Sequence, residues 1–225
     1  TGIGVWDFMT DWQNSLTGYF RALLSYAWPA LFLCGPSPKT LARWDLLSQK
    51  SPVVGIGELD NHDTLMRIGG LTLSVFPFSR VFRLIRTHIL TAAPLSGDSK
   101  KDIPVVLDAL KRGHAYVSLD RFRNATGFSL RVTEDGRSAT MGDAFVLRHR
   151  AELFASVPGK ARIRLLRNGV LVHQITGTDL SFQLTEPGVY RIEADLRAYC
   201  RWRPWIFSNP LYLKGTSSVP DQHTV

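Results

Sequence analysis

The chain has 225 residues, 44% of them hydrophobic and 20% charged, with a mean hydropathy of −0.03. These values exclude a disordered chain and a polytopic membrane protein and predict one large or two small folded units. A chain of this length buries a sizeable core without staples. Cys34 and Cys200 are too few for a disulfide framework, so two unpaired thiols are expected and the redox compartment stays open. The net charge is +8, with 12 Lys and Arg against 10 acidic residues in 1–120, and 15 against 8 in 121–215. Such an excess attracts nucleic acid, anionic lipid or a phosphorylated substrate. Arg162, Arg164, Arg191 and Arg197 fall at alternating positions in expected strands, as on the solvated faces of half-buried strands, and no five like charges run together. Nucleic acid is therefore not the expected partner.

Residues 3–6 read as a short strand inside a domain already begun, so an N-terminally truncated chain is expected. The most apolar stretch, 19–33, is interrupted by Arg21 and Pro29. At about 15 residues it is shorter than the ~20 a membrane span needs, and a buried helix is expected there. A helix is also expected over 41–49, capped by Ser37 or Thr40, with Leu41, Trp44, Leu46 and Leu47 on one face. Residues 53–57, Val-Val-Gly-Ile-Gly, read as a fully buried strand of the kind parallel sheets use. Residues 65–74 read as irregular, and 78–90 as strand or helix. Residues 103–112 predict a helix with Pro104 in its first turn, an apolar stripe of Ile103, Val106, Leu107 and Leu110, and Gly113 as the stop. Residues 115–119 read as a short strand.

The texture changes near residues 121–126. Alternating apolar and polar segments follow at 128–133, 151–157, 161–167, 170–175, 180–184, 189–196 and 206–213, separated by turn residues. Asn168-Gly169 between two such runs is the strongest hairpin signal of the chain. About seven short strands at this spacing predict an antiparallel sandwich. The expected division is 1–122, 123–215 and a frayed tail at 216–225.

The sharpest chemical feature is Gly57-Glu58-Leu59-Asp60-Asn61-His62-Asp63, where an apolar strand ends in three carboxylates and an imidazole. Active sites of parallel α/β folds form at such carboxyl ends. On an extended segment Asp60 and His62 point the same way, presenting an oxygen and a nitrogen donor suited to Zn, Mn or Fe(II). Glu58 shares their alternation and is expected as a further ligand or a supporting acceptor; Asp63 points oppositely. Two ligands from one strand do not complete a site, and an Asx-rich surface turn is the plain alternative. Arg86 and His88 are candidates for holding an anionic substrate, since a planar guanidinium pairs well with phosphate or carboxylate.

The run at 57–63 resembles the last metal-binding motif, Asp-x-His, of the PHP (polymerase and histidinol phosphatase) superfamily. The remainder resembles its CehA/McbA-like branch: residues 2–7 are similar to the strand ahead of that motif, 82–90 to the basic segment after it, and 107–117 to the last barrel helix and strand. Residues 188–193 and the run Arg203-Pro204-Trp205-Ile206-Phe207-Ser208-Asn209-Pro210 are similar to the closing strands of the appended β-domain. The resemblance implies an α/β part followed by an all-β part: the C-terminal part of a distorted (β/α)7 PHP barrel, then an antiparallel β-sandwich. It implies two or three divalent metal ions, with Asp60 and His62 as ligands, and hydrolysis of a phosphoester, ester or amide by metal-activated water. The partner it implies is a small anionic or ester substrate. The first motif, His-x-His, is absent, and Gly4 stands where relatives often have Glu. A chain with so few ligands is expected to be inactive alone. The competing reading is a non-catalytic β-sandwich binding protein, or a degenerate remnant, with Tyr199, Trp202, Trp205 and Tyr212 as a stacking platform.

Overall fold

A computed structural model of the chain describes residues 1–68 and 70–216, without the side chains of 64, 66, 68, 71 and 73. The expected frayed tail lies, from residue 217 on, outside the described residues. The chain opens with strand β1 (Gly2–Asp7) and helix α1 (Phe8–Asn14), whose first turn is capped by Asp7 accepting from the Thr10 N–H. Helix α2 (Tyr19–Ala27) and a 3-10 turn (Pro29–Leu31) follow. The helix stops ahead of Pro29, as a proline there implies, but the expected burial is corrected: Tyr19, Phe20 and Leu23 are exposed. Helix α3 (Pro38–Ser48) starts with Pro38 at its first position and has no side-chain cap from Ser37. Strand β2 (Val54–Glu58) pairs parallel with β1, as expected, but it is not fully buried: Gly55 is buried, whereas Val54, Ile56 and Gly57 are half-buried. Val5, Trp6, Phe8, Leu33, Trp44 and Phe76 form the core of this part. Buried Asp11 accepts from the Trp6 indole and from the Cys34 and Gly35 N–H groups, which fastens the loop behind α2.

Residues 65–74 are not irregular. Strands β3 (Thr64–Ile68) and β4 (Leu71–Val75) form an antiparallel hairpin. Helix α4 (Phe78–Val81) and strand β5 (Ile85–Ile89) resolve the ambiguous segment into one of each. Helix α5 (Ser99–Arg112) begins four residues earlier than expected, capped by Asp98, so Pro104 lies inside it; Gly113 ends it with φ 79°. Its stripe is only partly covered: Ile103 and Leu107 are 56% and 48% exposed, and Ala109 is the residue that is buried.

Strand β6 (Ala115–Leu119) is buried throughout and pairs antiparallel with both β5 and β13 (Arg201–Ser208). It thereby joins a ten-stranded sheet drawn from both sides of residue 122. The remaining strands are β7 (Ser129–Glu134), β8 (Arg137–Thr140), β9 (Ala144–Leu147), β10 (Ala151–Arg167), β11 (Val170–Leu184), β12 (Gly188–Ala198) and β14 (Leu211–Gly215). All ladders in this sheet are antiparallel except β14 with β9. No helix occurs in 127–213. The architecture is thus β-rich and mostly antiparallel, compatible with a sandwich around one core that includes Leu130, Leu153, Ile163, Ile192 and Trp205.

Two strand boundaries differ from the expected ones. Pro158-Gly159 does not turn the chain. The 17-residue β10 passes through it with a register shift between Ser156 and Ala161, pairing β7 before the shift and β12 after it. The expected 206–213 strand is broken at Asn209-Pro210 into β13 and β14, because proline has no N–H for the ladder. Asn168-Gly169 behaves as predicted: φ is 52° and 81°, and Arg167 faces Val170 across a two-residue loop.

The arginines do not all form a solvated face. Arg162 and Arg164 pair across strands with Asp195 and Glu193. Arg191 is 1% exposed and lies beneath α3. Its guanidinium donates to Asp45 at 2.6 and 2.8 Å and to Glu193 at 2.5 Å, with the Trp44 ring 5.4 Å away. This network ties the helical part to the sheet. Replacing Arg191 with Leu leaves the buried Asp45 carboxylate without its cation and takes one of two cations from Glu193. The expected loss is about 3–5 kcal/mol in denaturant unfolding. Gly169→Val is expected to cost about 1 kcal/mol or more. A Cβ at this positive φ also meets the Asp45 carboxylate at 2.9 Å, so the turn and the ion pair are disturbed together.

Candidate functional site

The 57–63 run leaves the sheet immediately after β2. Gly57 is held by its N–H donating to Thr87 Oγ1 at 2.9 Å, and has no room for a side chain: a Cβ would come within 2.8 Å of Ile85 and 2.9 Å of Val117. Beyond Glu58 the chain is no longer extended. Asp60 and Asp63 adopt left-handed backbone, with φ 44° and 48°. The alternation that was to align Asp60 with His62 therefore ends before it reaches them. Local bonds sort the side chains instead. Asn61 donates to the Phe76 carbonyl at 2.8 Å, and Asp63 accepts from the Ser74 hydroxyl, so both fold back on the end of the β3–β4 hairpin. Glu58, Asp60 and His62 are exposed at the carboxyl end of β2.

The Glu58 carboxylate lies over Gly4, in the space a side chain at that position would fill. Glu58, Asp60 and His62 do not converge on one point. Among the described residues there is no group of three or more His, Cys, Asp or Glu side chains placed to hold a metal ion. Asp60 and His62 are available donors, but do not make a complete set.

Arg86 and His88 are brought together by a residue that the sequence reading did not single out. Asp120 Oδ2 is 3.3 Å from an Arg86 terminal nitrogen and 3.1 Å from His88 Nε2. Asp120 Oδ1 accepts from Ser118 Oγ at 2.7 Å and from the Ala125 N–H at 3.1 Å. The Asp120 side chain is only 3% exposed. Burial pushes its carboxyl up, but the hydrogen bonds from His88, Ser118 and Ala125 outweigh this and hold it below its ordinary value. The His88 ring stacks on Tyr116 at 4.6 Å, and burial beside Asp120 drives the Tyr116 phenol well above its usual range. Asp120 follows the buried strand β6 as Asp60 follows β2. A polar residue just past a buried strand was the available signal.

The two groups of candidates lie on opposite faces of the β5–β6 pair. Ile85, Thr87 and Val117 face β2, whereas His88 stacks on Tyr116 in the core of the large sheet. The aromatic platform divides similarly. Trp205 and Tyr212 are buried, Trp202 lies under Arg162, and Tyr199 is exposed. His114 bonds Asp143 at 2.8 Å, and both cysteines are free and exposed. No helix among the described residues is long and apolar enough to cross a membrane. No family model, curated protein or solved structure matches the chain.

Asp120→Asn is expected to destabilise the fold by about 1–3 kcal/mol at neutral pH, since Arg86 and His88 lose a charged acceptor in a buried position. The sign of the pH dependence follows from the depressed carboxyl. The folded value lies below the ordinary 3.8, so the stabilisation is complete above 3.8 and is lost as pH falls through the folded value. Denaturant melts of both proteins from neutral to strongly acid pH should show the difference closing only at the acid end.

Proposed function

We propose that the chain is the C-terminal part of a PHP-type metal-dependent hydrolase acting on a phosphoester or related ester or amide. In this reading β1, β2 and the elements up to β6 belong to a distorted barrel, and the later strands are its appended β-domain. The observation that carries it is the position of Asp60 and His62. Both are exposed, just past the carboxyl end of a strand in a parallel pair, while their neighbours Asn61 and Asp63 are occupied in fastening the loop. Strand ends of this kind are where α/β folds place reacting groups.

Asp60 and His62 act in this reading as two donors to a Zn, Mn or Fe ion, and residues beyond those described complete the set. Glu58 stands beside them as a further donor or an acceptor. A bound divalent ion supplies Lewis acidity and lowers the pKa of water. His62 contributes a neutral ring nitrogen in this reading. The Gly4–Glu58 packing gives Glu58 a defined place near this loop, which a side chain at position 4 would take from it.

The test is metal content and hydrolysis of p-nitrophenyl phosphate and p-nitrophenyl acetate by the product of the complete reading frame. Asp60→Ala and His62→Ala should each lower metal content and reduce turnover by about 100-fold or more, since losing one donor opens the ion to water. Wild-type metal content and turnover in both variants would overturn the reading.

A further inference from the structure

A concavity of about 930 Å³ lies away from the 57–63 loop: none of Glu58, Asp60 and His62 lines it. It opens between the α2–α4 region on one side and the β12–β13 turn on the other, at the end of β6 where Asp120 sits. Six arginines are among its lining residues, Arg80, Arg83, Arg86, Arg121, Arg123 and Arg197, of which Arg80 and Arg123 direct their guanidiniums to the Ala27 and Pro158 carbonyls. Asp120 is the one carboxylate among the lining residues, and it is already bonded to Arg86 and His88. The arginines around the cleft therefore outnumber its one carboxylate, which is itself engaged. The arrangement is unfavourable to itself and favourable to a multiply charged anionic guest.

The walls are fastened independently of any guest. Arg80 donates to the Ala27 carbonyl and lies against the Tyr26 and Phe76 rings. Arg203 donates to the Leu31 carbonyl at 2.7 Å, tying the 3-10 turn to β13. The Trp205 indole donates to the Arg123 carbonyl at 2.8 Å. Arg83, Arg121 and Arg197 are exposed and come from three different segments, a placement that suits more than one phosphate group.

The rim carries a second feature. Strands β12 and β13 are joined by Tyr199-Cys200, with φ 49° and 60° and Ala198 facing Arg201. This is the positive-φ, two-residue connection that Asn168-Gly169 makes elsewhere, but built from residues with a Cβ and little tolerance for that region. The strained turn puts the Tyr199 ring, 73% exposed, on the cleft, with Phe122 at 6.1 Å and Trp28 across the opening. Strain kept where a relaxed alternative exists points to a use for the side chain.

We propose that this cleft binds a small organic ligand carrying two or more phosphate groups beside an aromatic ring, with the chemistry of a nucleoside diphosphate. The arginines take the phosphate oxygens, and Tyr199 with Trp28 packs on the ring. The volume is within the range of small-ligand sites. The inference is independent of the hydrolase reading, because it uses neither the 57–63 loop nor a metal.

The experiment is calorimetric titration of the chain with ADP and with inorganic pyrophosphate at about 0.15 M salt, where weak surface attraction is screened. Both ligands should bind, ADP more tightly. Arg83→Gln with Arg121→Gln should weaken both at least tenfold. The remote pair Arg131→Gln with Arg150→Gln should leave both unchanged. Tyr199→Asn with Cys200→Gly should raise the melting temperature by relaxing the turn, weaken ADP at least fivefold and spare pyrophosphate. The melting curve of each variant separates lost binding from lost folding. Equal losses in the remote pair, or binding of phosphatidylglycerol vesicles or a short DNA duplex as tight as ADP, would show general attraction for polyanions and overturn the proposal. So would failure of ADP and pyrophosphate to bind the folded wild type.

Discussion

The side chain of Asn209 stands where a strand is missing. The parallel pair β1–β2 has no backbone ladder to the ten-stranded sheet, yet β2 packs against it. Asn209 Oδ1 accepts from the Gly55 N–H at 2.6 Å, and its amide donates to the Gly55 carbonyl at 3.1 Å and the Ala115 carbonyl at 2.8 Å. One side-chain amide thus supplies the donor and acceptor that a neighbouring peptide would have supplied. Tyr212 and Thr87 do the same for the Val53 and Gly57 N–H groups. Without these partners, buried peptide groups would each be uncompensated by about 1–3 kcal/mol. The clamp brings Gly55 next to Ala115 and Gly57 next to Val117, so β2 and β6 run the same way. Their carboxyl ends, carrying Glu58–His62 and Asp120, therefore emerge at one end of the molecule.

That close approach explains Gly57, while the packing of α3 and β1 against β2 explains Gly55. A Cβ at Gly55 would meet Trp44 and Val5, and one at Gly57 would meet Ile85 and Val117. There is no space for a layer of side chains at this seam. Trp44 reaches across it, donating its indole N–H to the Val53 carbonyl at 3.0 Å, and its ring covers Arg191. Arg191 in turn holds Asp45 of the same helix. Asn209 and Arg191 secure the two parts of the chain to each other by different means. The amide replaces a ladder. The guanidinium offsets desolvation only because its bidentate bond to Asp45 and its bond to Glu193 are made together.

What the sequence made legible was local. Asn168-Gly169 specifies its turn through φ alone, Gly113 ends α5 for the same reason, and the change to alternating segments marks where helices stop. What it concealed depended on partners distant in the chain. Pro158-Gly159 has the composition of a turn, but β10 passes straight through, bridging one set of neighbours before the pair and another after it. Arg191 alternates like a solvated residue, and only the arrival of Asp45, 146 residues away, accounts for its burial. At the candidate site the Asp-x-His spacing is visible, but the left-handed Asp60 that undoes its alternation is not. Asp120 has no motif. Its importance comes from Arg86 and His88 converging on it across the β5–β6 pair.

Two turns of the same sheet show how local preference and site chemistry part company. At 168–169 the residues are those the geometry favours, and nothing is lost to strain. At 199–200 the geometry is the same and the residues oppose it, which costs of order 1–3 kcal/mol. The first turn lies over Asp45, where the absence of a side chain is a steric requirement. The second lies at the rim of the arginine-lined cleft, where the side chain is the feature retained. A fold already secured at its seam by Asn209 and Arg191 can bear that cost, and it bears it at the rim of the cleft, two residues from Arg197. The excess positive charge of the second half is therefore not spread evenly. Arg162 and Arg164 are paired with carboxylates of the sheet and Arg191 with Asp45 and Glu193, while Arg121, Arg123 and Arg197 come together near the end of β6.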